Sequence, residues 1–220
     1  MDEKSIYKGL INDFHKEKTI LGPHSGFVWK NDAKHLLFQL SRAKFCAKLV
    51  DGLGKVLDVG CGDGTAMNIT AQAAKSVLGI EIDPDIIECN RITNKRLANC
   101  DYRLHDISES PLTERFDAAY SLDVIEHVPK EREDAFIGNI AESLGDAGFC
   151  VIGTPNIESD RYASELSRIG HINLKDHKSL KACMEKHFQN VFIFSMNDEV
   201  VHTGFYPMAH YLFALACHKK

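Results

Sequence analysis

The 220-residue chain has no apolar run of the roughly 18 residues that a membrane-crossing helix needs. A helical membrane protein is thereby excluded, and no membrane partner is expected. The opening stretch, MDEKSIYKGL, lacks the apolar core of a secretory leader, so the expected location is cytoplasmic. There is no excess of basic residues: 26 Lys and Arg stand against 31 Asp and Glu, a net charge of −5. Without a broad cationic surface, no nucleic-acid partner is expected, although Lys175 and Lys178 form a small local cluster. No two of the seven cysteines are spaced C-x-x-C, and their number is odd. This argues against a zinc or disulfide framework and for free thiols. Repeats and low-complexity tracts are missing too. A hydrophobic fraction of 44% is enough for one full core.

What is present is concentrated in residues 56–65, VLDVGCGDGT. Val56, Leu57 and Val59 suit a buried parallel strand. Gly60, Gly62 and Gly64 follow at alternate positions, where the backbone can bend sharply and approach a ligand with no Cβ in the way. The next residues, TAMNITAQAAK, read as a helix whose first N–H groups face that ligand. This is a nucleotide-type cradle. The spacing is G-x-G-x-G rather than the dinucleotide pattern G-x-G-x-x-G, with Thr65 where the third glycine of that pattern would stand. Asp58, two residues before the first glycine, is a poor neighbour for a pyrophosphate and a good one for an ammonium or sulfonium group.

Downstream, SVLGIEID (76–83) reads as a second strand ending in Glu81, an acid placed to accept from both hydroxyls of a ribose. Ile82 offers an apolar face beside it, and Asp83-Pro84 opens a helix over 84–99. A strand in DYRLHDI ends near Asp106, which can also cap a turn with Ser108. Phe116–Tyr120 reads as a fourth strand, with Ser121 and Leu122 at its carboxyl end. If the following residues are helical, Asp123, Glu126 and His127 share one face.

These segments resemble the class I S-adenosylmethionine-dependent methyltransferases. The glycine turn resembles their first motif, and SLDVIEHV (121–128) the post-strand segment of small-molecule O-methyltransferases, including the ubiquinone-biosynthesis type. The resemblance implies an α/β Rossmann-like fold with a seven-stranded, mostly parallel sheet, an antiparallel last strand and helices on both faces. Strands at 149–156, in NVFIFSM and in HYLFALACHKK complete that number. It implies S-adenosyl-L-methionine as cofactor, held by Asp58, Gly60, Gly62, Gly64, Glu81, Ile82, Ser121 and Leu122. Asp106 would meet the adenine amino group, with Ile107 beside the ring. Residues 51–220 then form the methyltransferase domain and residues 1–50 a helical lid or arm, with Asp32 capping its last helix.

His127 has three open roles: general base for an acceptor hydroxyl, structural histidine oriented by Glu126 or Asp123, or ligand of a divalent ion with those carboxylates. No metal is assigned. His24, Trp29, His171, His202 and Tyr206 are the candidate acceptor-binding residues, with Phe27 as a further apolar wall. Arg42 either reaches the cofactor carboxylate or serves the structure, and Asn156 either contacts the acceptor or its loop, or makes a turn. The expected acceptor is a hydroxyl, or phosphate-type oxygen, of a small polar molecule such as a sugar or nucleotide-activated glycan precursor. A quinone-like aromatic is the alternative. The sequence shows no N-P-P-Y motif of amine and amide methylases. An NAD-dependent oxidoreductase is a further alternative because Glu81 would serve a ribose there; Asp58, the glycine spacing, the final hairpin and the absence of Y-x-x-x-K speak against it. A non-catalytic binding member of the methyltransferase fold is the third reading. Nothing in the sequence sets the oligomeric state.

Overall fold

The computed structural model describes residues 2–14 and 18–220. Met1 and residues 15–17, part of the expected 1–50 segment, lie outside the described residues. The chain begins with helices α1 (Glu3–Phe14), α2 (Pro23–Asn31) and α3 (Ala33–Leu49). The Asp32 side chain accepts from the His35 amide and starts α3, as its position predicts.

Strand β1 (Lys55–Val59) lies between two parallel neighbours, β2 (Ser76–Glu81) and β4 (Phe116–Leu122). Beyond β2 lies β3 (Cys100–Leu104), and beyond β4 lies β5 (Leu144–Pro155), both parallel. The last three strands are β6 (Phe188–Asn197), β7 (Val200–His202) and β8 (Tyr211–Lys219). The sheet order is β3-β2-β1-β4-β5-β8-β6-β7, with β8 running antiparallel between β5 and β6.

The sheet therefore has eight strands where the sequence suggests seven. The extra one is β7, in a stretch that reads as loop. It closes a hairpin with β6, in which Asn197 pairs with Val200 and Asp198 turns the chain at φ 51. Three residues are too few to show a period of two.

Alternation along the strands splits the core between two faces. Leu57, Val59, Leu78, Ile80 and Ala119 pack with α6 (Glu133–Ser143) and α8 (His177–Met184). Val56, Val77, Ala118 and Tyr120 pack with α3, α4 (Met67–Thr70) and α5 (Pro84–Thr93). Helix α4 is shorter than TAMNITAQAAK suggests. The Thr70 hydroxyl bonds back to the Ala66 carbonyl at 3.3 Å and also meets the Tyr120 hydroxyl, and the Gln72 and Ala73 amides bond three residues back. Strand β5 starts five residues earlier than its apolar run, because Leu144 already pairs with Phe116 ahead of a bulge. Among the described residues, no helix is long and apolar enough to cross a membrane.

Asn156, just past β5, is 1% exposed, and its amide donates to the carbonyls of Tyr206 and Ala209, both at 2.9 Å. It ties the 206–209 loop to the sheet, which answers its open role in favour of structure. Asn156→Ala leaves the Ala209 carbonyl unpaired and the Tyr206 carbonyl with the Ala209 amide alone, and is expected to cost about 1–3 kcal/mol of stability, read from urea unfolding. A loss below about 0.5 kcal/mol would show that the loop does not depend on this tether.

Candidate active site

The strand order reverses between parallel neighbours β1 and β4, the point of such a sheet at which a crevice opens outside the carboxyl ends of the strands. It holds a cavity of about 430 Å³. Asp58, Gly60, Gly62, Glu81, Ile82, Asp106, Ile107, Leu122, His24 and His127, all expected site residues, border this one space.

The glycine turn is shaped by the backbone. Gly60 has φ 73, and a Cβ on it would stand 2.4 Å from a Val124 methyl carbon. Gly62 has φ 50 with nothing within 4 Å of a notional Cβ, so its edge lies bare to the cavity. Glu81 receives the Gly62 amide at 3.1 Å on one oxygen and the Ile82 amide at 2.7 Å on the other. Ile82 itself is 67% exposed beside the cavity, an unusual place for a large aliphatic side chain. Asp106 accepts from the Ser108 amide and hydroxyl, the turn its sequence context allows, and also from Arg132.

Asp58 is buried to 3% exposure and receives the Tyr120 hydroxyl at 2.8 Å. Among the described residues no cation pairs with it. Burial pushes its carboxyl up to about 7, against the lowering effect of the Tyr120 bond and with Glu81 adding a further upward push. A buried carboxylate facing a cavity without a counter-ion fits a ligand that brings a positive charge. Together with the bare glycine edge, Glu81 and the exposed Ile82, it fits S-adenosylmethionine.

Further walls of the cavity come from α2, α3 and the segment after β4. Asp123 does not start a helix: it takes φ 58, and only Ile125–His127 forms a short 3₁₀ turn. The three acidic and basic side chains therefore do not share one helical face. The Asp123 carboxylate turns to Arg42 of α3, whose Nη1 reaches both oxygens at 2.7 and 2.8 Å. Arg42 also lies 4.0 Å over the Tyr211 ring. This assigns Arg42 the structural role. Ser25 of α2 donates its amide and hydroxyl to Asp63 in the glycine turn, at 2.7 and 2.9 Å, and also meets Thr65. The N-terminal helices thus close one side of the cavity. Neither Ser25 nor Gln39, another lining residue from these helices, stands out in the sequence.

His127 is exposed at the cavity, and its Nδ1 lies 2.9 Å from the Gly170 carbonyl. A carbonyl only accepts, so Nδ1 carries the hydrogen and neutral His127 keeps its lone pair on Nε2. His171, at the end of α7 (Glu165–Gly170), stands edge-on to His127 with ring centres 5.0 Å apart. Burial, with His127 close by, holds the His171 imidazole below its ordinary value. Ligand atoms of Glu126, His127 and His171 lie within 4.8 Å of one another. Glu126 is fully buried, and Thr154 holds one oxygen at 3.0 Å while the other has no partner among the described residues. Burial, with Asp123 adding to it, pushes its carboxyl well above the usual range.

The other expected residues do not border the cavity. Gly64 packs against Asn94 and Tyr102, and the Ser121 hydroxyl is turned to the Val59 carbonyl at 2.9 Å. Trp29 is 58% exposed and Phe27 61% exposed on α2. His202 lies on β7, with one ring nitrogen on Asn197 and the other on the Gly204 amide, both at 2.9 Å. Tyr206 stacks on His177 at 4.6 Å and packs its loop down. Lys175 is 1% exposed and lies 2.5 Å from Glu133, so it is not a free cation for a phosphate.

The folded value of Asp58 lies above its ordinary 3.8. In the ligand-free protein its contribution to stability is therefore complete below about pH 4 and is lost as pH rises through 7. Asp58→Asn is expected to remove that dependence, on the order of 1 kcal/mol per pH unit between pH 4 and 7. Melting curves of both proteins across this range check it, and parallel curves would show that Asp58 does not titrate there.

Comparison with known proteins agrees with the geometry. Residues 32–189 match the family described as "Methyltransferase domain". The ubiquinone biosynthesis O-methyltransferase of Bradyrhizobium sp. (strain ORS 278) is 31% identical over 103 residues, covering 46% of this chain and 40% of that protein. The chain thus spans about 40% of the length of the first curated relatives it matches. The TehB-like SAM-dependent methyltransferase from Corynebacterium glutamicum superposes with a TM-score of 0.65 at 21% identity, over 90% of this chain and 98% of that one. The N-methyltransferase NodS from Bradyrhizobium japonicum, in complex with S-adenosyl-L-homocysteine, gives 0.61 at 18% identity, over 86% and 91%. At these identities the likeness to solved structures concerns the fold. The family match covers well over half of the sequence, and the chain belongs to the methyltransferase domain family, with the class I S-adenosylmethionine-dependent architecture.

Proposed function

We propose that this protein transfers a methyl group from S-adenosylmethionine to a hydroxyl oxygen of a small aromatic molecule of the quinone-precursor type. The observation that carries the cofactor part is the uncompensated buried carboxylate of Asp58 beside the bare edge of Gly62. When bound, S-adenosylmethionine supplies an electrophilic methyl on a positively charged sulfur. Glu81 and Asp106 would hold the two ends of its adenosine, and Asp58 would face its charged part. Helices α2 and α3 act as a cover on the methyltransferase domain, tied to it through Ser25 on Asp63 and Arg42 on Asp123.

His127 takes the proton of the acceptor hydroxyl on Nε2 while Nδ1–H stays on the Gly170 carbonyl. A positioned base of this kind contributes about 10²–10⁴-fold, and holding the two reactants in line supplies about 7–11 kcal/mol more. The aromatic reading is supported by the O-methyltransferase relatives and by apolar walls at Leu40, Val124 and Pro129. The burial of Lys175 in its pair with Glu133 weighs against a phosphate-bearing sugar.

The open oxygen of Glu126 and the nearness of both histidines favour a second reading of His127. There a divalent ion held by Glu126, His127 and His171 would polarise the hydroxyl, and Nε2 would be a ligand instead of a base.

Calorimetry with S-adenosylmethionine and with NAD tests the cofactor, with binding of the first alone expected. NAD binding without S-adenosylmethionine binding would refute the assignment. Affinity for S-adenosylmethionine is expected to tighten by about 10-fold from pH 6 to pH 8, as Asp58 ionises, and to lose that trend in Asp58→Asn. With a catechol-type acceptor, His127→Ala should lower kcat by about 10²–10⁴-fold, and a drop of only a few-fold removes the base. Activity unchanged by a chelator favours the base, and activity lost and then restored by added magnesium or zinc favours the ion.

A further inference from the structure

We propose that Arg132 is a positioning residue that makes the cavity selective for a 6-aminopurine, by keeping the outer oxygen of Asp106 an acceptor at the cavity wall. The inference rests on the reading that the cavity takes S-adenosylmethionine.

Asp106 follows β3, and Arg132 stands at the N-terminal boundary of α6; both border the cavity. One oxygen of Asp106 is already used, accepting from the Ser108 amide at 2.9 Å and the Ser108 hydroxyl at 2.6 Å. The other receives Arg132 Nη2 at 3.1 Å and no further donor among the described residues. A carboxylate oxygen accepts two hydrogen bonds, so one position on it stays open.

A guanidinium carries donors only and does not lose its proton, so a carboxylate paired with it stays ionised and accepts without donating. Such a group suits the exocyclic N–H of adenine. It opposes hypoxanthine, whose 6-oxo group would set oxygen against oxygen. Without Arg132, Ser108 alone would hold the carboxylate, and by one oxygen only. The free oxygen could then turn away from the cavity wall, and the distinction between amino and oxo purines would fade. Glu109 lies 3.6 Å from the same guanidinium but is largely exposed, so Asp106 is the better-placed partner. Buried Ile107 and exposed Ile82 leave an apolar space beside this acceptor that suits a flat ring.

The test compares S-adenosylhomocysteine with S-inosylhomocysteine, by calorimetry, on the full chain and its Arg132→Met and Arg132→Lys variants. The unaltered protein should prefer the adenosyl ligand by at least about 10-fold. Arg132→Met should weaken the adenosyl ligand by about 5–10-fold and the inosyl ligand by less than about 2-fold, and Arg132→Lys should recover part of the gap. Equal weakening of both ligands, or no change in either, overturns the proposal. Thermal melting without ligand checks that the variants fold, and should Arg132→Met fail, the narrowed gap is read from Arg132→Lys alone. If the unaltered protein binds neither ligand, the cofactor reading falls and takes this inference with it. If it discriminates while the variants discriminate equally well, only the role of Arg132 falls.

Discussion

The structure depends on one awkward carboxylate. Asp58 sits at the end of the central strand, buried, with a single hydroxyl for company. A charged group in that position costs the ligand-free fold free energy, and burial raises its proton affinity accordingly. Such a carboxylate, open to the cavity, suits a ligand that brings a positive charge. The glycine turn bends away, its amide is taken up by Glu81, and nothing stands over Gly62.

A second constraint operates across the cavity. Arg42 and Asp123 come from positions 81 residues apart and join a helix of the N-terminal segment to the end of β4. Arg42 is 9% exposed, so removing Asp123 would leave a guanidinium largely away from water without its carboxylate. The pair also holds Asp123 in a left-handed conformation that a non-glycine residue rarely adopts. From there the chain turns directly into the short segment that presents His127. The N-terminal helices are thus part of the site's geometry.

The donor side was legible because its residues are local to strand ends. Asp58, Gly60, Gly62 and Glu81 each follow a run of β-branched or apolar residues, and a periodicity argument reaches their positions directly; Asp106 follows the mixed stretch CDYRLH and was legible only through the family resemblance. The strands themselves were legible for the same reason, apart from β7, whose three residues carry no pattern. The acceptor side was only partly so. His127 and His171 were both visible as candidates, but their contact depends on how the 157–175 segment folds back. That return is fixed by Lys175, Glu133 and Asn173, whose buried hydrogen bonds look in the sequence like ordinary surface residues. His202 and Tyr206 were plausible by position and were lost to local partners, Asn197 in one case and His177 in the other.

This division has a physical cause that bears on how such a fold changes its substrate. The donor half is held by main-chain geometry: parallel register, left-handed glycines and amides aimed at carboxylates. Altering it means altering the sheet. The acceptor half is assembled from α2, α3, the turn at 125–127 and the end of α7, held mainly by side-chain bonds to backbone such as His127 on Gly170 and Asn173 on Val128. Those bonds lie outside the strands. A cavity built this way can keep one cofactor while its opposite wall is rebuilt for another acceptor, so the acceptor has to be argued from individual side chains, and the cofactor can be argued from the fold.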